Sequence, residues 1–352
     1  QAMEIKFEGE VRDVWEEHYH HVEIENPTVI QAIPYDMHVA GKDGKGVSVL
    51  RLWSAKAPGL DMALFNQGDY MRAMERNAMA EVISKVLYPA DNHPEGKSLR
   101  LRQQYFLVSA SIQDILNRHL RRYGTLDNLA EKVAIHINDT HPALCIPELM
   151  RILMDENGYS WDDAWSMAQK TLSYTNHTVM SEALERWSEW LFEEQLPRIY
   201  AITKEINRRL VEQLQAFYPN DPAKINYMAV IGDGEVRMAN LCVCACSAVN
   251  GVSALHSDIL KHDVFRDACN AQPEKFKNVT NGIDHRRWLS EINPRLDRLI
   301  CKCTGGDDYL LRPDALRGLE QYREDKTVLA ELEKIKQENK RKFAGYLARE
   351  TG

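Results

Sequence analysis

Short apolar strands that lead through polar loops into helices recur in the middle of this sequence, and this pattern constrains the fold more than any other feature. Residues 132–138 mix β-branched residues with alternation and are followed by Asp139 and by a helical pattern near Pro147. A helix over 161–171 then leads into a second strand that reaches His177. Strands that alternate with helices predict a parallel sheet. We therefore expect an α/β fold, mostly a parallel sheet with flanking helices.

The first 60 residues predict strands and turns. Residues 47–53 alternate apolar and polar side chains, which is typical of a half-buried strand. The glycine-rich residues 41–46 resemble a phosphate loop, but they lack the Lys-Ser/Thr ending and open no helix. A hairpin connection is therefore favoured. The predicted fold class includes a strand-rich region at the N-terminus.

Several long helices are predicted from apolar residues at spacings of three and four. They cover residues 69–87, about 99–123, 193–217 and about 319–349. The stripe of the third helix consists of Leu196, Ile199, Ile202, Ile206, Leu210 and Leu214. The residues expected to face inward on the fourth are Leu329, Leu332, Ile335, Asn339, Phe343 and Tyr346.

The composition excludes several classes of protein. Of 352 residues, 44% are apolar and 27% charged, which is ordinary for a globular chain and excludes disorder. The net charge of −8 and the lack of a basic block predict no nucleic-acid partner. No apolar run approaches the roughly 20 residues that span a bilayer, so no membrane partner is expected. Residues 1–10 do not resemble a signal peptide, so we expect a cytoplasmic location with reduced thiols.

Two kinds of residue cluster raise the question of a metal site. On a strand, His18 and His20 share a face and His21 points away, which gives two ligands where a structural zinc site takes four. The alternating cysteines differ from the usual Cys-x-x-Cys pairs, and the first three are interpreted as one face of a buried element. These cysteines are Cys242, Cys244, Cys246, Cys301 and Cys303. We predict no metal.

Polar residues at two strand ends predict a shared ligand site. Asp139 and His141 follow one strand, and His177 follows the next. The carboxyl ends of parallel strands are where α/β proteins bind their ligands. No Ser-His-Asp order of a hydrolase is recognisable. Spacing alone therefore predicts a ligand cleft without naming a reaction.

Ordered blocks of sequence extend along almost the whole chain. They include Asn-Asp-Thr-His-Pro at 138–142 and Thr-Asn-His-Thr at 175–178. The others are residues 51–55, 86–89, 95–97, 146–151, 182–187, 249–252, 280–283, 286–288 and 336–340. In this order the blocks resemble the glycogen phosphorylase family, the α-glucan phosphorylases.

This resemblance implies a two-lobed glycosyltransferase fold of the GT-B type. Residues 1–280 would be the C-terminal part of the family's N-terminal domain, and 281–352 an inter-domain segment with the start of the C-terminal domain. Family members are much longer, so we expect the chain to be a fragment. No match to the family's Schiff-base lysine is found, so we also expect the isolated chain to be inactive.

The activity implied by the resemblance is phosphorolysis of an α-1,4-glucan, which is glycogen, maltodextrin or starch. Inorganic phosphate is the co-substrate, glucose 1-phosphate the product and pyridoxal phosphate the cofactor. The helix over 69–87 matches the family's homodimer interface, and the loop that follows it gates the site. Two alternatives stay open: a non-catalytic glucan-binding or assembly module, and a nucleotide-sugar glycosyltransferase of the same architecture.

The resemblance also assigns roles to individual residues. The substrate-binding residues it implies are Asn92, Asp139, His141, His177 and Asn281. It makes His177 the catalytic residue, in contact with the glucosyl unit near its anomeric centre, and assigns Trp288 to cofactor binding. Amides and neutral imidazoles suit this task because they both donate hydrogen bonds to sugar hydroxyls and accept from them.

Overall fold

Strands alternate with helices through the centre of the chain, as the sequence predicts, and further strands precede them. The computed structural model describes all but a few positions, namely residues 2–16, 19–41, 44–60 and 62–351. The chain divides into two compact units. The larger comprises Gln1–Val39 with Ser48–Thr280, and the smaller comprises Ala40–Val47 with Asn281–Gly352.

Twelve strands occur among the described residues. In chain order they are β1 (Met3–Phe7), β2 (Glu10–Glu16), β3 (Tyr19–Glu25), β4 (Thr28–Ala40), β5 (Val47–Lys56), β6 (Ile135–Asn138), β7 (Leu172–Asn176), β8 (Arg186–Ser188), β9 (Ile231–Gly232), β10 (Glu235–Arg237), β11 (Val249–Gly251) and β12 (Phe276–Asn278). Three sheets have the orders β1-β4-β5, β8-β10-β9 and β12-β11-β7-β6, and β2 pairs with β3.

Fourteen α-helices occur in the same part of the chain. They are α1 (Met62–Asn66), α2 (Tyr70–Lys85), α3 (Pro94–Tyr123), α4 (Leu129–Lys132), α5 (Cys145–Arg151), α6 (Trp161–Thr171), α7 (Glu189–Gln195), α8 (Pro197–Phe217), α9 (Pro222–Met228), α10 (Met238–Ala245), α11 (Ala254–Ile259), α12 (Arg266–Ala271), α13 (Pro294–Thr304) and α14 (Lys326–Thr351). Short π-helices occur at Ile152–Glu156, Leu260–Val264 and Arg286–Glu291, and 3-10 helices at Ser181–Ala183, Pro273–Lys275, Asp308–Leu310 and Pro313–Tyr322. Each described helix is too short or too polar to cross a membrane.

The four-stranded sheet is parallel throughout, which confirms the predicted α/β fold class. β7 lies between β6 and β11, and β11 also pairs with β12. The strands contribute fully buried side chains to the core, including Ile137, Leu172, Tyr174 and Val249. Helices α6 and α10 contact β7. Because all four strands run in one direction, the loops that follow them leave the sheet at one edge.

The N-terminal region is strand-rich, as predicted. β1 and β4 are antiparallel, with Met3 opposite Ala32 and Phe7 opposite Thr28. Phe7 is fully buried, and its ring meets Tyr105 of α3 edge-on at 5.6 Å between centroids. This sheet therefore packs against the long helix α3.

Residues 47–53 form part of strand β5, as predicted, but most of their side chains are not half-buried. Val47 and Val49 are more than half exposed, and burial begins only at Trp53. Alternation predicts a strand, but the neighbouring elements decide which part of it is covered. The backbone N–H of Gly41 donates to the carbonyl of Gly46 at 2.8 Å, as a hairpin requires, while Lys42 and Asp43 lie outside the described residues.

Two helix boundaries differ from the sequence prediction because of prolines. Helix α3 begins at Pro94, not near residue 99, because proline is favoured in the first turn and His93 caps it, accepting from the N–H of Gly96 at 3.0 Å. The helix predicted over 193–217 is two helices. Pro197 begins α8 and disfavours a helical backbone at Leu196, which ends α7.

Helix α2 confirms the helix predicted over 69–87. However, the stripe of helically spaced residues that includes Met71 and Met74 does not face the core. Ala73, Ala80 and Ile83 are buried, whereas Met71 and Met74 are 73% and 61% exposed. Both stripes have helical spacing, so periodicity alone does not distinguish the packed face from the exposed one.

The inward face predicted for the C-terminal helix is largely wrong. On α14, Ile335 is buried and Leu332 is half-buried, but Leu329, Asn339, Phe343 and Tyr346 are exposed. The smaller unit has a small core, formed by Leu299, Cys303 and Ile335, and this core covers little of a 26-residue helix.

The parallel sheet gives a direct test of core packing. We expect Ile137→Ala to lower the free energy of unfolding by about 2–5 kcal/mol, because Ile137 is fully buried and the substitution leaves a cavity. Urea denaturation followed by far-UV circular dichroism measures the change. The control Leu255→Ala, at a side chain that is 72% exposed, should change it by less than about 1 kcal/mol. Equal effects of the two substitutions would contradict the assigned core.

Candidate functional site

The candidate site begins where β6 and β7 end. The backbone N–H of Asp139 donates to the carbonyl of Thr175 at 2.9 Å, so the pairing continues one residue past β6. Asp139 has a left-handed backbone, with φ at 61°, which aspartate tolerates better than most residues. Its carboxylate accepts from the N–H of Thr140 at 2.7 Å. The chain therefore turns at Asp139 and enters residues 140–144, which lead into α5.

A second loop, residues 86–93, meets this segment and is named the Tyr88 loop here. The rings of His141 and Tyr88 meet edge-on, with centroids 6.1 Å apart. The guanidinium carbon of Arg100 lies 5.8 Å from the centroid of the Tyr88 ring. Edge-on ring contacts and cation–π contacts each contribute about 0.5–1 kcal/mol. The Tyr88 ring is thus in contact with both the strand-end segment and α3.

The Tyr88 loop is held against the first turns of α3. Gly96 has no side chain, and a Cβ placed there would overlap the carbonyl group of Ala90. Arg100 donates to the carboxylate of Asp91 at 2.8 Å and to that of Glu185 at 3.3 Å. The loop therefore depends on one close backbone contact and on one shared guanidinium.

A cavity of about 280 Å³ is lined by the Tyr88 loop, α3, the strand ends and residues 183–187. Its charged side chains balance, three cationic and three anionic: Lys97, Arg100 and Arg186 against Asp91, Asp139 and Glu185. Thr140, His141, Thr178 and Trp187 add further polar lining. With its charges balanced, the cavity suits a neutral polar ligand.

Two buried polar atoms in the cavity wall have no hydrogen-bond partner in the part of the chain that the structure describes. They are Nε1 of Trp187, whose side chain is 4% exposed, and Oε1 of Glu185. Most buried polar atoms in native proteins have a partner. Both residues line the cavity, but these two atoms are themselves buried behind its surface.

Of the residues expected to bind substrate, Asp139 and His141 line this cavity together. His177 lies at the end of the neighbouring strand but does not line the cavity, although Thr178 does. The His177 ring is exposed, and its Nε2 lies 2.5 Å from Oδ1 of Asn138. Asn92 is exposed in the Tyr88 loop, next to the cavity residue Asp91.

Asn281 and Trp288 belong to the smaller unit. Both are exposed, and Trp288 lies in the π-helix Arg286–Glu291. Their roles in substrate and cofactor binding remain predictions from the resemblance.

The polar cavity residues that sequence reasoning did not single out include Lys97, Arg100, Glu185 and Trp187. Lys97 and Arg100 are three residues apart, a spacing that puts both on one face of a helix. A helix predicted to begin near residue 99 does not include Lys97, so its spacing from Arg100 gives no helical signal. Glu185 and Trp187 belong to a block already noted in the sequence, but spacing gives no reason for them to approach Asp139.

The prediction that Cys242, Cys244 and Cys246 belong to a buried element is largely confirmed, but the prediction that they share one face is wrong. Cys242 and Cys246 are fully buried, while Cys244 is half-buried. Cys242 and Cys244 lie in α10, where residues four apart share a face and residues two apart do not. The three thiols are therefore not on one face. Burial raises the pKa of Cys246 to about 12 and that of Cys242 well above its usual value.

Metal binding was the other interpretation of the histidines and cysteines. Across residues 2–16, 19–41, 44–60 and 62–351, no three His, Cys, Asp or Glu side chains are grouped so that they could hold a metal ion. His18 lies outside the described residues.

The contact between Gly96 and Ala90 leads to a prediction for the Tyr88 loop. Gly96→Ala should destabilise the fold by about 1–3 kcal/mol, since the added methyl group forces the loop off α3. It should also increase proteolytic cleavage within residues 86–93, measured by limited proteolysis and mass spectrometry. The matched control is Gly59→Ala, where a Cβ meets nothing within 4 Å. Unchanged cleavage in Gly96→Ala would show that the loop does not depend on this contact.

The buried thiols predict how stability depends on pH. Above about pH 9 the unfolded thiols lose protons that the folded ones keep, because burial raises the folded pKa of Cys242 and Cys246. These two thiols together should therefore lower folded stability between pH 9 and pH 11 by about 4–5 kcal/mol. Urea midpoints measured across this range should fall less steeply for Cys242→Ala/Cys246→Ala. Parallel pH profiles for the two proteins would contradict this assignment.

Comparison with known proteins gives a consistent result. The family described as carbohydrate phosphorylase matches residues 1–352. The muscle form of glycogen phosphorylase from Bos taurus is 46% identical over 334 residues, which are 92% of this chain and 40% of that protein. The muscle form from Homo sapiens and the brain form from Mus musculus are also 46% identical, with the same coverage.

The chain thus spans about 40% of the length of the curated relatives that it matches. The match to the family covers every residue of the chain. This chain belongs to the carbohydrate phosphorylase family.

Proposed function

We propose that this chain is part of an α-1,4-glucan phosphorylase, which transfers a terminal glucosyl unit from glycogen, maltodextrin or starch to inorganic phosphate. The product would be glucose 1-phosphate. The observation that carries this proposal is the charge-balanced polar cavity at the ends of β6 and β7. The names of the relatives, which are glycogen phosphorylases, support the same reaction.

The balance of charge favours a sugar over a nucleotide sugar in this cavity. A nucleotide sugar carries a diphosphate, which calls for a surplus of cations. Here, Arg100 already donates to two carboxylates, those of Asp91 and Glu185. A neutral glucosyl unit needs only donors and acceptors. The carboxylate of Asp139 can accept from its hydroxyls, and the hydroxyl of Thr178 can donate to them.

His177 is the residue that we propose acts at the anomeric centre. Oδ1 of Asn138 accepts a hydrogen bond, so the proton of a neutral His177 ring lies on Nε2. Nδ1 is then an acceptor for a sugar hydroxyl, and the amide fixes the orientation of the ring. We propose that Asn92 and Asn281 also bind the glucosyl unit.

Of the proposed substrate-binding residues, all but Asn281 lie in residues 1–280, which would be the C-terminal part of an N-terminal domain, and Asn281 would begin an inter-domain segment. The exposed methionines of α2, including Met71, Met74 and Met79, favour a role of this helix in a homodimer. Exposed apolar patches of this kind are typical of protein–protein interfaces.

Pyridoxal phosphate is the cofactor that the family resemblance implies, and Lys275, the described lysine whose pKa is lowered, does not fit its Schiff base. A Schiff-base lysine needs a free amine with a lowered pKa. Burial lowers the pKa of Lys275, but its ammonium donates to the carbonyls of Val243 and Cys244 at 3.1 and 2.9 Å. That amine caps the end of α10 and is not free to bind an aldehyde.

Binding of a glucan by this chain tests the proposal. Isothermal titration calorimetry should detect maltoheptaose binding and no binding of UDP-glucose. His177→Ala should weaken maltoheptaose binding about tenfold, the effect of one or two lost hydrogen bonds. His262→Ala is the control, since the His262 ring is exposed and bonds only its own helix, through the carbonyl of Asp258.

Binding of UDP-glucose in preference to maltoheptaose would favour the glycosyltransferase alternative. If His177→Ala leaves the affinity for maltoheptaose unchanged, the chain would instead be a surface glucan-binding module.

A further inference from the structure

Glu148 of α5 is a fully buried carboxylate with no role in the site as described so far. Its side chain has no exposed surface. Four hydrogen bonds reach its two oxygens. Arg151 donates from Nε and Nη2 at 2.8 and 2.9 Å, Tyr105 donates its hydroxyl at 2.9 Å, and Ser109 donates its hydroxyl at 2.6 Å. A buried charge is tolerated when it is paired and hydrogen-bonded in this way.

The donors of these four hydrogen bonds lie on two different helices. Arg151 lies on α5 itself, one turn after Glu148, so the ion pair balances the charge without linking α5 to another element. Tyr105 and Ser109 lie on α3, and both are almost completely buried. Their hydroxyls are not needed to neutralise the carboxylate. What they provide is a link between α3 and α5.

α3 contributes residues to the cavity directly, whereas α5 contributes through the segment that precedes it. α3 carries Lys97 and Arg100, and Arg100 precedes Tyr105 by five residues, which is about 7.5 Å along the helix. α5 directly follows residues 139–144, which include the cavity residues Asp139 and His141.

The connection from α5 back to the cavity is short and internally bonded. The N–H of Ala143 donates to the carbonyl of Thr140 at 2.9 Å, and the N–H of Glu148 donates to that of Leu144 at 3.1 Å. Leu144 and Ala143 are fully buried. Because this connection is short and hydrogen-bonded, a displacement of α5 would also displace His141.

We propose that Glu148 is a positioning residue for the cavity. By accepting from Tyr105 and Ser109 it holds α5 at a set distance from α3, and so it fixes the segment with Asp139 and His141 relative to Arg100 of α3. The identity of the ligand rests on the function proposed above, whereas the positioning itself does not.

The double variant Tyr105→Phe/Ser109→Ala tests this proposal and keeps the Glu148–Arg151 ion pair. We expect it to fold, as judged by circular dichroism, because no buried charge loses its counter-ion. Amide hydrogen exchange at Thr140, His141 and Ala143 should become about tenfold faster. The Kd for maltoheptaose should rise about tenfold, an effect that a general loss of stability does not produce in a folded protein.

The matched control is Tyr200→Phe. It also removes a hydrogen bond from a largely buried tyrosine to a carboxylate, since Tyr200 of α8 donates to Glu189 of α7 at 2.6 Å. It should leave exchange at residues 140–143 and the Kd for maltoheptaose unchanged.

Unchanged amide exchange at Thr140, His141 and Ala143 in the folded double variant would overturn the proposal. Faster exchange with an unchanged Kd would also overturn it, because the link would then be structural only. If the double variant fails to fold, Tyr105→Phe alone gives the same two measurements. If the unmodified chain does not bind maltoheptaose, the ligand assignment fails, and the exchange data alone decide whether Glu148 positions the cavity wall.

Discussion

The pairing register of β6 with β7 is the constraint on which the rest of this structure depends. Asn138 lies opposite Thr175, and one further hydrogen bond, from the N–H of Asp139, extends the pairing past the end of β6. In a parallel pair, this register decides which residues of the two following loops meet. It brings Asn138 within hydrogen-bonding distance of His177 and directs the next six residues toward α5. A shift by one residue would move the strands' core side chains to the opposite face and separate these groups.

The cavity beside these strand ends is built mainly from polar groups that satisfy one another. The guanidinium of Arg100 is shared between Asp91 and Glu185, and Gln104 also donates to Glu185, at 2.9 Å. Such networks are rigid when they are complete, and they leave specific atoms without a partner when they are not. The indole N–H of Trp187 is one of the atoms left over. Family membership places this α/β architecture in the two-lobed GT-B glycosyltransferase fold.

Much of the fold could be predicted from the sequence, because it depends on local patterns. The alternation of strands and helices predicted the parallel sheet, and the apolar stripe of α8 predicted its buried face. The errors arose where neighbours decide the outcome. On α2, periodicity selected the stripe that includes Met71 and Met74, whereas the packed structure buries Ala80 and Ile83. For the site, the strand ends predicted that Asp139 and His141 share a site with His177, and the cavity contains the first two but not His177. Arg100 and Glu185 were missed because they are 85 residues apart, and no local rule relates residues so distant in sequence.

The close approach of Ala90 to Gly96 has a consequence for how the Tyr88 loop can change shape. The C-terminal part of the loop continues into the first turn of α3 through the His93 cap, so this part cannot swing away unless the cap is broken. The other side of Ala90 is different, since Tyr88 has a positive φ of 52° and releases strain by returning to an ordinary backbone conformation. The backbone of this loop can thus relax at Tyr88 without breaking the His93 cap, and such a change would move the Tyr88 ring relative to His141.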